Sequence, residues 1–389
     1  MNNQDKIYLS RAFKLAKLGK FSTFSNPNVG CVIVKDNNIV GEGYHQYYGG
    51  NHAEINALMM AGKYAYGSTV YVTLEPCNYY NKTPPCTDAL IKSKVFKVIA
   101  ATLDPNPKVS GKGFNKLRSH GILVEYGYML DEAEKLNYDF FKRIHTGIPW
   151  VSLKLASSLD GRVNYVFNKK KWITSTKSRQ DVQIFRAKSN VILSTSSTVI
   201  VDNPRLTVRK SLLPKYIKNI YPTKYIKDPI RVIIDVNNRI NENFNVITDN
   251  KVTWLIRSII NDNLLKLPKI KQVVLPTYLK NNKIYLDLFE LLVYLGKNEI
   301  NRVFVEAGST LSSILIKKEL IDEFILYQSP TIIGANASSL FNINQKYNDY
   351  KIIKFKILDV KKIGIDIRIR LAPNKSYKKR ENNNECNRS

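Results

Sequence analysis

Cysteine is scarce in this chain, with four among 389 residues, and that scarcity excludes a disulfide scaffold. The opening residues Met1-Asn2-Asn3-Gln4-Asp5-Lys6 hold no apolar export segment, and no apolar run is long enough to cross a bilayer. A cytoplasmic protein with no membrane partner is therefore expected. There is no internal repeat, and no Gly-x-Gly-x-x-Gly run, so any dinucleotide site is of a non-Rossmann type. Acidic residues are also few: 32 Asp and Glu against 60 Lys and Arg leave a net charge of +28. Such a balance raises the question of nucleic-acid binding. The excess is nevertheless spread over plain loops such as Lys280-Asn281-Asn282-Lys283, with no basic arm and no basic stripe interleaved with aromatics. It reads as solvated faces that also attract phosphorylated ligands, and no nucleic-acid partner is expected.

The chain has ample material for folded cores: 44% of it is apolar, with 15 Phe and 23 Tyr. At this length more than one domain is expected. Helical spacing over 5–20, a strand at 28–35, a turn at Asp36-Asn37-Asn38 and a hairpin partner at 39–43 open the first. A helix over 53–62, a strand at 68–74, a helix at 88–93, a strand at 96–101, a helix at 113–120 and a strand at 122–126 continue it. Alternation of this kind predicts a sheet covered by helices. The pattern resets around Arg143 to Pro149, which divides the chain into 1–146, 147–373 and a polar tail, 374–389, expected to be disordered. The second domain opens with a strand at 150–156 and a turn at 158–162. Further strands are predicted at 190–194, 230–235, 252–256, 272–275, 302–306 and 323–328, again an α/β alternation.

His52-Ala53-Glu54, then Pro76-Cys77 and Pro84-Pro85-Cys86, carry the strongest chemical signal. One imidazole and two thiolates fill three corners of a zinc tetrahedron and leave the fourth for water. Zinc makes that water acidic, and Glu54 is placed to carry its proton to a departing amine. The order matches the His-x-Glu and Pro-Cys-x-x-Cys signature of zinc nucleobase deaminases, except that eight residues separate Cys77 from Cys86. Pro84-Pro85 reads as a helix start, where a cysteine ionises more readily. Of the remaining cysteines, Cys31 falls in a strand-like run and Cys386 in the tail.

The second half offers a softer signal. Glu306-Ala307-Gly308-Ser309-Thr310-Leu311 lies where a strand gives way to a helix, whose free N–H groups suit a pyrophosphate. Arg186 and Arg205-Leu206-Thr207-Val208-Arg209 add cations, and Asp202-Asn203-Pro204 is a turn able to present a carboxylate.

Together these residues resemble the bifunctional riboflavin-biosynthesis enzymes that join a pyrimidine deaminase to a pyrimidine reductase. The resemblance spans about Ile7 to Leu371. It is carried by Asn26-Pro27-Asn28-Val29-Gly30-Cys31-Val32-Ile33, His52-Ala53-Glu54, Thr73-Leu74-Glu75-Pro76-Cys77, Lys82-Thr83-Pro84-Pro85-Cys86, Asp104-Pro105-Asn106-Pro107, Lys154-Leu155-Ala156-Ser157-Ser158-Leu159-Asp160-Gly161 and Val305-Glu306-Ala307-Gly308. Members of that family carry a similar insertion between the two cysteines. The resemblance implies a cytidine-deaminase-like three-layer N-terminal domain and a dihydrofolate-reductase-like C-terminal domain, both α/β. It implies zinc and NADPH as cofactors, and 2,5-diamino-6-(5-phosphoribosylamino)pyrimidin-4(3H)-one as a phosphorylated pyrimidine ribonucleotide substrate; a homo-oligomer is expected.

Carried over by position, the resemblance gives zinc to His52, Cys77 and Cys86, and proton transfer to Glu54. Asn28, His45, Lys82, Asp104 and Asn106 are implied contacts of the deaminase substrate. Lys154, Thr174, Arg186, Asp202, Arg209 and Glu306 are implied around the ribose phosphate and ring in the reductase. Ala156, Trp172, Thr198, Leu206 and the turn Gly308, Ser309, Thr310, Leu311 are implied at the NADPH site. Guanidinium groups suit phosphate because they offer forked donors.

Some positions depart from the family pattern. Asn78-Tyr79-Tyr80-Asn81 stands where Ser-His, His or Tyr, and Gly are usual, so Tyr79 puts a phenol in place of an imidazole. Asn81 replaces a glycine, and asparagine tolerates a left-handed backbone better than most. Lys169-Lys170-Lys171 precedes Trp172, and Val236 stands where a serine often meets the cofactor. Two other readings follow: a descendant retaining only the reductase, for which Tyr79 is the sole support, and a nucleic-acid base deaminase, which leaves the second domain unexplained.

Overall fold

The structure, a computed structural model, describes residues 3–80, 84–107, 109–165, 172–221, 223–280, 283–343 and 352–374. It divides into two compact units, one formed by 1–151 with 176–307 and the other by 152–175 with 308–389. The residue range expected to form the tail lies, from 375 on, outside the described residues.

The first unit begins with five strands, β1 (Gly30–Lys35), β2 (Asn38–Tyr44), β3 (Thr69–Val72), β4 (Lys97–Ala100) and β5 (Leu123–Tyr126), ordered β2-β1-β3-β4-β5. β1 runs antiparallel to β2 and β3, while β3, β4 and β5 are mutually parallel. Asp36 and Asn37 close the hairpin with φ of 48° and 63°, the left-handed region that short polar side chains tolerate. Period-two alternation sends Cys31, Ile33, Val70, Val72, Val98 and Ala100 to one face of the sheet. There they meet α2 (Ala53–Ala61), α3 (Cys86–Lys92) and α4 (Lys112–Ser119). Val32, Val34, Tyr71 and Ile99 point the other way, onto α1 (Asn3–Ala16) and Ala133 of α5 (Leu130–Thr146). Helix, sheet and helix form three layers, as the sequence predicted.

Gly43 of β2 sets the height of α2. A Cβ there would sit 2.3 Å from the Ala53 carbonyl, so no other residue lets the first turn of α2 come so close. Helix α5 was not anticipated from sequence. It buries Ala133, Asn137 and Phe140 at helical spacing, but the middle one is polar and non-helical (φ −126°, ψ 29°), which interrupts the apolar period.

The same unit continues, after β6 (Trp150–Ser157) has left it, with α6 (Thr176–Lys188), β7 (Val191–Thr195), α7 (Ser196–Asp202), α8 (Lys215–Ile220), β8 (Ile230–Ile234), α9 (Asn245–Thr248), β9 (Thr253–Arg257) and β10 (Ile270–Val274). A hairpin, β11 (Thr277–Lys280) with β12 (Lys283–Leu286), leads to α10 (Leu288–Lys297) and β13 (Arg302–Glu306). β10, β9, β8, β7 and β13 lie side by side, all parallel. The near-continuous apolar runs of β7, β8, β9 and β13 match strands covered on both faces, while the edge strand β10 is partly exposed.

In the second unit β6 pairs in parallel with β14 (Glu323–Gln328), and β14 pairs antiparallel with β16 (Asp366–Pro373), the partner of β15 (Phe355–Ile363). α11 (Ser309–Lys317) precedes β14. The β15–β16 hairpin escaped the sequence reading because β15 is largely exposed and does not alternate.

Candidate active site

His52 caps α2 with extended backbone, and Glu54 lies buried in the first turn behind it. Cys77 follows β3, and Cys86 is the first residue of α3, with Pro85 as its cap. The three ligand atoms converge: His52 Nδ1 lies 3.2 Å from Cys86 Sγ and 3.4 Å from Cys77 Sγ, and all three fall within 4.8 Å of one another. Tetrahedral zinc bonded at about 2.0 and 2.3 Å places N and S ligands roughly 3.5–3.8 Å apart, so this donor set fits the ion. The Cys77 thiol is pulled down by a hydrogen bond from the Cys86 side chain, and also by His52, against burial. Cys86 is pushed up by that same hydrogen bond to Cys77 and by burial. Two thiols this close share one negative charge until a divalent cation stabilises both as thiolates.

Burial raises Glu54 to about 7, opposed by His52. A carboxyl poised there is able both to accept and to return a proton near neutrality. Cys86 is fully buried, and beside it His52, Cys77 and Glu54 line a cavity of about 520 Å³. His45 lines it, buried, with its pKa lowered to about 4 by burial and therefore neutral. Its Nδ1 donates to the Asn51 carbonyl at 3.0 Å, which leaves Nε2 to accept from Asn26 Nδ2 at 3.0 Å.

Asp104 and Asn106 also line the cavity, as expected, and burial raises Asp104 to about 7. Glu75, to which sequence reading gave no role, fixes their loop. Its carboxylate accepts from the backbone N–H groups of Asp104, Gly111, Gly113 and Phe114 at 2.9–3.4 Å. Asn28 is placed outside the lining, although Asn26, Pro27 and Val29 belong to it. Its backbone and side-chain amides donate to Asn137 Oδ1 at 2.7 and 3.2 Å. Lys82 and Lys169 to Lys171 lie outside the described residues. Tyr79 does line the cavity, and burial raises its phenol further, so it stays neutral.

Residues expected at the reductase site fall into both units. In the first, Arg186 Nε and Nη2 grip Glu306 at 2.6 and 3.0 Å while Nη1 donates to the Thr207 carbonyl at 2.9 Å. The forked donors of Arg186 are thus spent on the protein itself. The exposed Arg209 side chain has no partner among the described residues. Thr198 sits in the first turn of α7, Asp202 ends that helix, and Leu206 is buried with φ of 51°. In the second unit, Lys154 and Ala156 lie on β6, Trp172 is exposed, Thr174 precedes Ser175, whose N–H donates to Asp366, and Gly308 caps α11 ahead of Ser309, Thr310 and Leu311.

Fold and site define a zinc-dependent deaminase joined in one chain to a reductase. A family profile described as the cytidine and deoxycytidylate deaminase zinc-binding region matches residues 2–102, and one described as the RibD C-terminal domain matches 149–369. The riboflavin biosynthesis protein RibD of Escherichia coli K12 is 44% identical over 371 residues, covering 95% of this chain and 99% of that protein. A diaminohydroxyphosphoribosylamino-pyrimidine deaminase of Buchnera aphidicola (Schizaphis graminum) is 61% identical over 146 residues, covering 38% of this chain and 99% of that protein. The solved structure of Acinetobacter baumannii RibD superposes with a TM-score of 0.86 at 42% identity, covering 96% of this chain and 99% of that one. The chain belongs to the RibD family of bifunctional riboflavin-biosynthesis enzymes, deaminase and reductase in one polypeptide.

Proposed function

We propose that the deaminase site removes the ring 2-amino group of 2,5-diamino-6-(5-phosphoribosylamino)pyrimidin-4(3H)-one as ammonia. The reductase then transfers a hydride from NADPH to the product and opens its ribosyl group to ribityl. The observation that carries the first step is the convergence of the His52, Cys77 and Cys86 ligand atoms beside the cavity that His52, Cys77 and buried Glu54 line. Zinc held by the triad supplies the Lewis acidity that makes water a nucleophile at neutral pH. Glu54 takes the proton from the attacking water and delivers it to the leaving nitrogen, so water is consumed and ammonia released. Asp104 and Asn106 offer the acceptors and donors that hold an amino-pyrimidinone edge, and neutral His45 supports the same wall without adding charge.

For reduction, Lys154, Thr174, Asp202 and Arg209 are the contacts we assign to the ribose phosphate and ring, with Arg186 acting by holding Glu306. Ala156, Trp172, Thr198, Leu206 and the start of α11 are assigned to the cofactor. The helix start supports this reading because its first N–H groups lack intrahelical partners.

The test supplies the diamino-pyrimidine ribonucleotide and NADPH, and follows ammonia release and NADPH oxidation separately. Both signals are expected. Glu54→Gln should lower ammonia release by about 10²–10⁴-fold while the pre-deaminated uracil compound is still reduced. NADPH oxidation only with the pre-deaminated compound would instead establish the reductase-only reading, which Tyr79 in the cavity wall favours. Equal rates with NADH would overturn the cofactor assignment.

A further inference from the structure

The cavity lined by His52, Glu54 and Cys77 is not walled by the deaminase segment alone. Arg143 near the end of α5, and Lys297 and Glu299 just where α10 gives way to β13, also line it. α10 is seated there without play: a Cβ on Gly296 would lie 1.9 Å from the Gly147 carbonyl. Arg143 Nε donates to Asn301 Oδ1 at 2.5 Å. Asn301 is itself fixed, its Nδ2 donating to the Ser25 carbonyl and its backbone N–H to Asn190 Oδ1, each at 2.9 Å. The guanidinium is therefore oriented by a neutral group. Its Nη atoms have no hydrogen-bond partner and no ion-pair partner among the described residues. Lys297 is exposed and likewise unpaired among them. Burial lowers Arg143, against the longer-range Coulombic pull of Glu299 and Asp139, neither of which bonds to it directly.

We infer that Arg143 and Lys297 form the phosphate subsite of the deaminase cavity, with Asn301 as a positioning residue supplied by the sequence that the reductase profile covers. The inference rests on the substrate proposed above, which carries a phosphate beyond its ribose. Two forked Nη donors left open by a fixed Nε suit a phosphate monoester. Glu299 shares the same wall and works against the anion, which gives the subsite a test of opposite sign.

Steady-state deamination is measured on the full chain with the phosphorylated substrate and with its dephosphorylated nucleoside. Arg143→Gln should raise KM for the phosphorylated compound by about tenfold to a hundredfold with little change in kcat, the range of lost charge-assisted hydrogen bonds. It should leave the nucleoside unaffected. Arg143→Lys should recover part of the loss, Asn301→Ala should reproduce a weaker form of it, and Glu299→Gln should lower KM. Reduction of the pre-deaminated compound reports that each variant is folded. Equal losses on both substrates, or no change on either, overturn the inference while the wild-type turnover upholds the substrate reading. A wild-type chain that releases no ammonia from the phosphorylated compound overturns both.

Discussion

Around the metal triad, the thiols of Cys77 and Cys86 and the buried carboxyls of Glu54 and Asp104 crowd together, whereas the parallel sheet of the same unit gives its buried arginines a carboxylate partner. In the sheet, fully buried Arg257 donates to Asp235 at 3.0 and 3.2 Å, and fully buried Arg231 meets Asp249 at 2.7 Å. Arg186 and Glu306 repeat the arrangement. Near His52 no such ion pair is present among the described residues: Glu54 and Asp104 are held up to about 7 by burial, and Cys77 and Cys86 compete for one proton. Buried charge without an opposite partner is costly, and a fold retains it where a cation or substrate completes it. Self-neutralised pairs hold architecture; uncompensated clusters mark where chemistry enters.

The contrast breaks most sharply at Cys86. Cys86→Ser removes a thiolate ligand, so bound zinc, counted by elemental analysis, should fall from one per chain towards none. Deamination should drop by several orders of magnitude, because water activated to a pKa of about 7 returns towards 15.7. Reduction of the pre-deaminated compound should persist. Full deamination by a zinc-free variant would show that the cluster is completed by something other than zinc.

The two kinds of cluster also differ in how far they can be read before folding. His52, Glu54, Cys77 and Cys86 stand out because each type is rare or buried-averse and each sits at an element boundary, where a short sequence pattern fixes geometry. The sheet strands were equally legible from their apolar runs, β13 and β14 to the residue. Arg143 and Asn301 were not, since one arginine in a chain of 60 Lys and Arg carries no signal until α5 and β13 bring it to the cavity. Glu75 was read within a motif, but its service to the backbone of 104–114 depends on a loop whose path the sequence does not declare. Arg186 shows the converse error of emphasis: its charge was visible, while its commitment to Glu306 required the fold.

Next in size is the buried pair. Asp235→Ala should cost about 3–5 kcal/mol in urea unfolding, since it strands the Arg257 guanidinium without a counter-charge. Asp235→Ala with Arg257→Met should recover part of that loss. Recovery stays incomplete because Asp235 also accepts from the Arg239 and Ile240 N–H groups at 2.9 and 3.1 Å, which the double variant leaves unpaired. A double variant as unstable as the single one would mean that those backbone bonds, rather than ion pairing, are what the carboxylate supplies.

Asp160 gives the smallest effect and lies between the two styles, a carboxylate bonded by neutral donors with Arg162 Nε farther off at 3.9 Å. Ser158 Oγ donates at 2.5 Å, and the Gly334 and Ile333 N–H groups at 2.8 and 3.1 Å; led by the Ser158 bond, they hold its pKa down to about 2. A folded-state pKa below the unfolded value contributes stability that is present above the unfolded pKa of about 3.9 and is lost as pH falls through the folded one. The margin of the wild type over Asp160→Asn should therefore be flat near neutrality and close between about pH 4 and pH 2. Ser158→Ala should move that closing upward, because it removes the largest cause of the shift. A margin that ignores pH throughout this window would show that the loop is held by backbone geometry and that the charge on Asp160 contributes nothing to it.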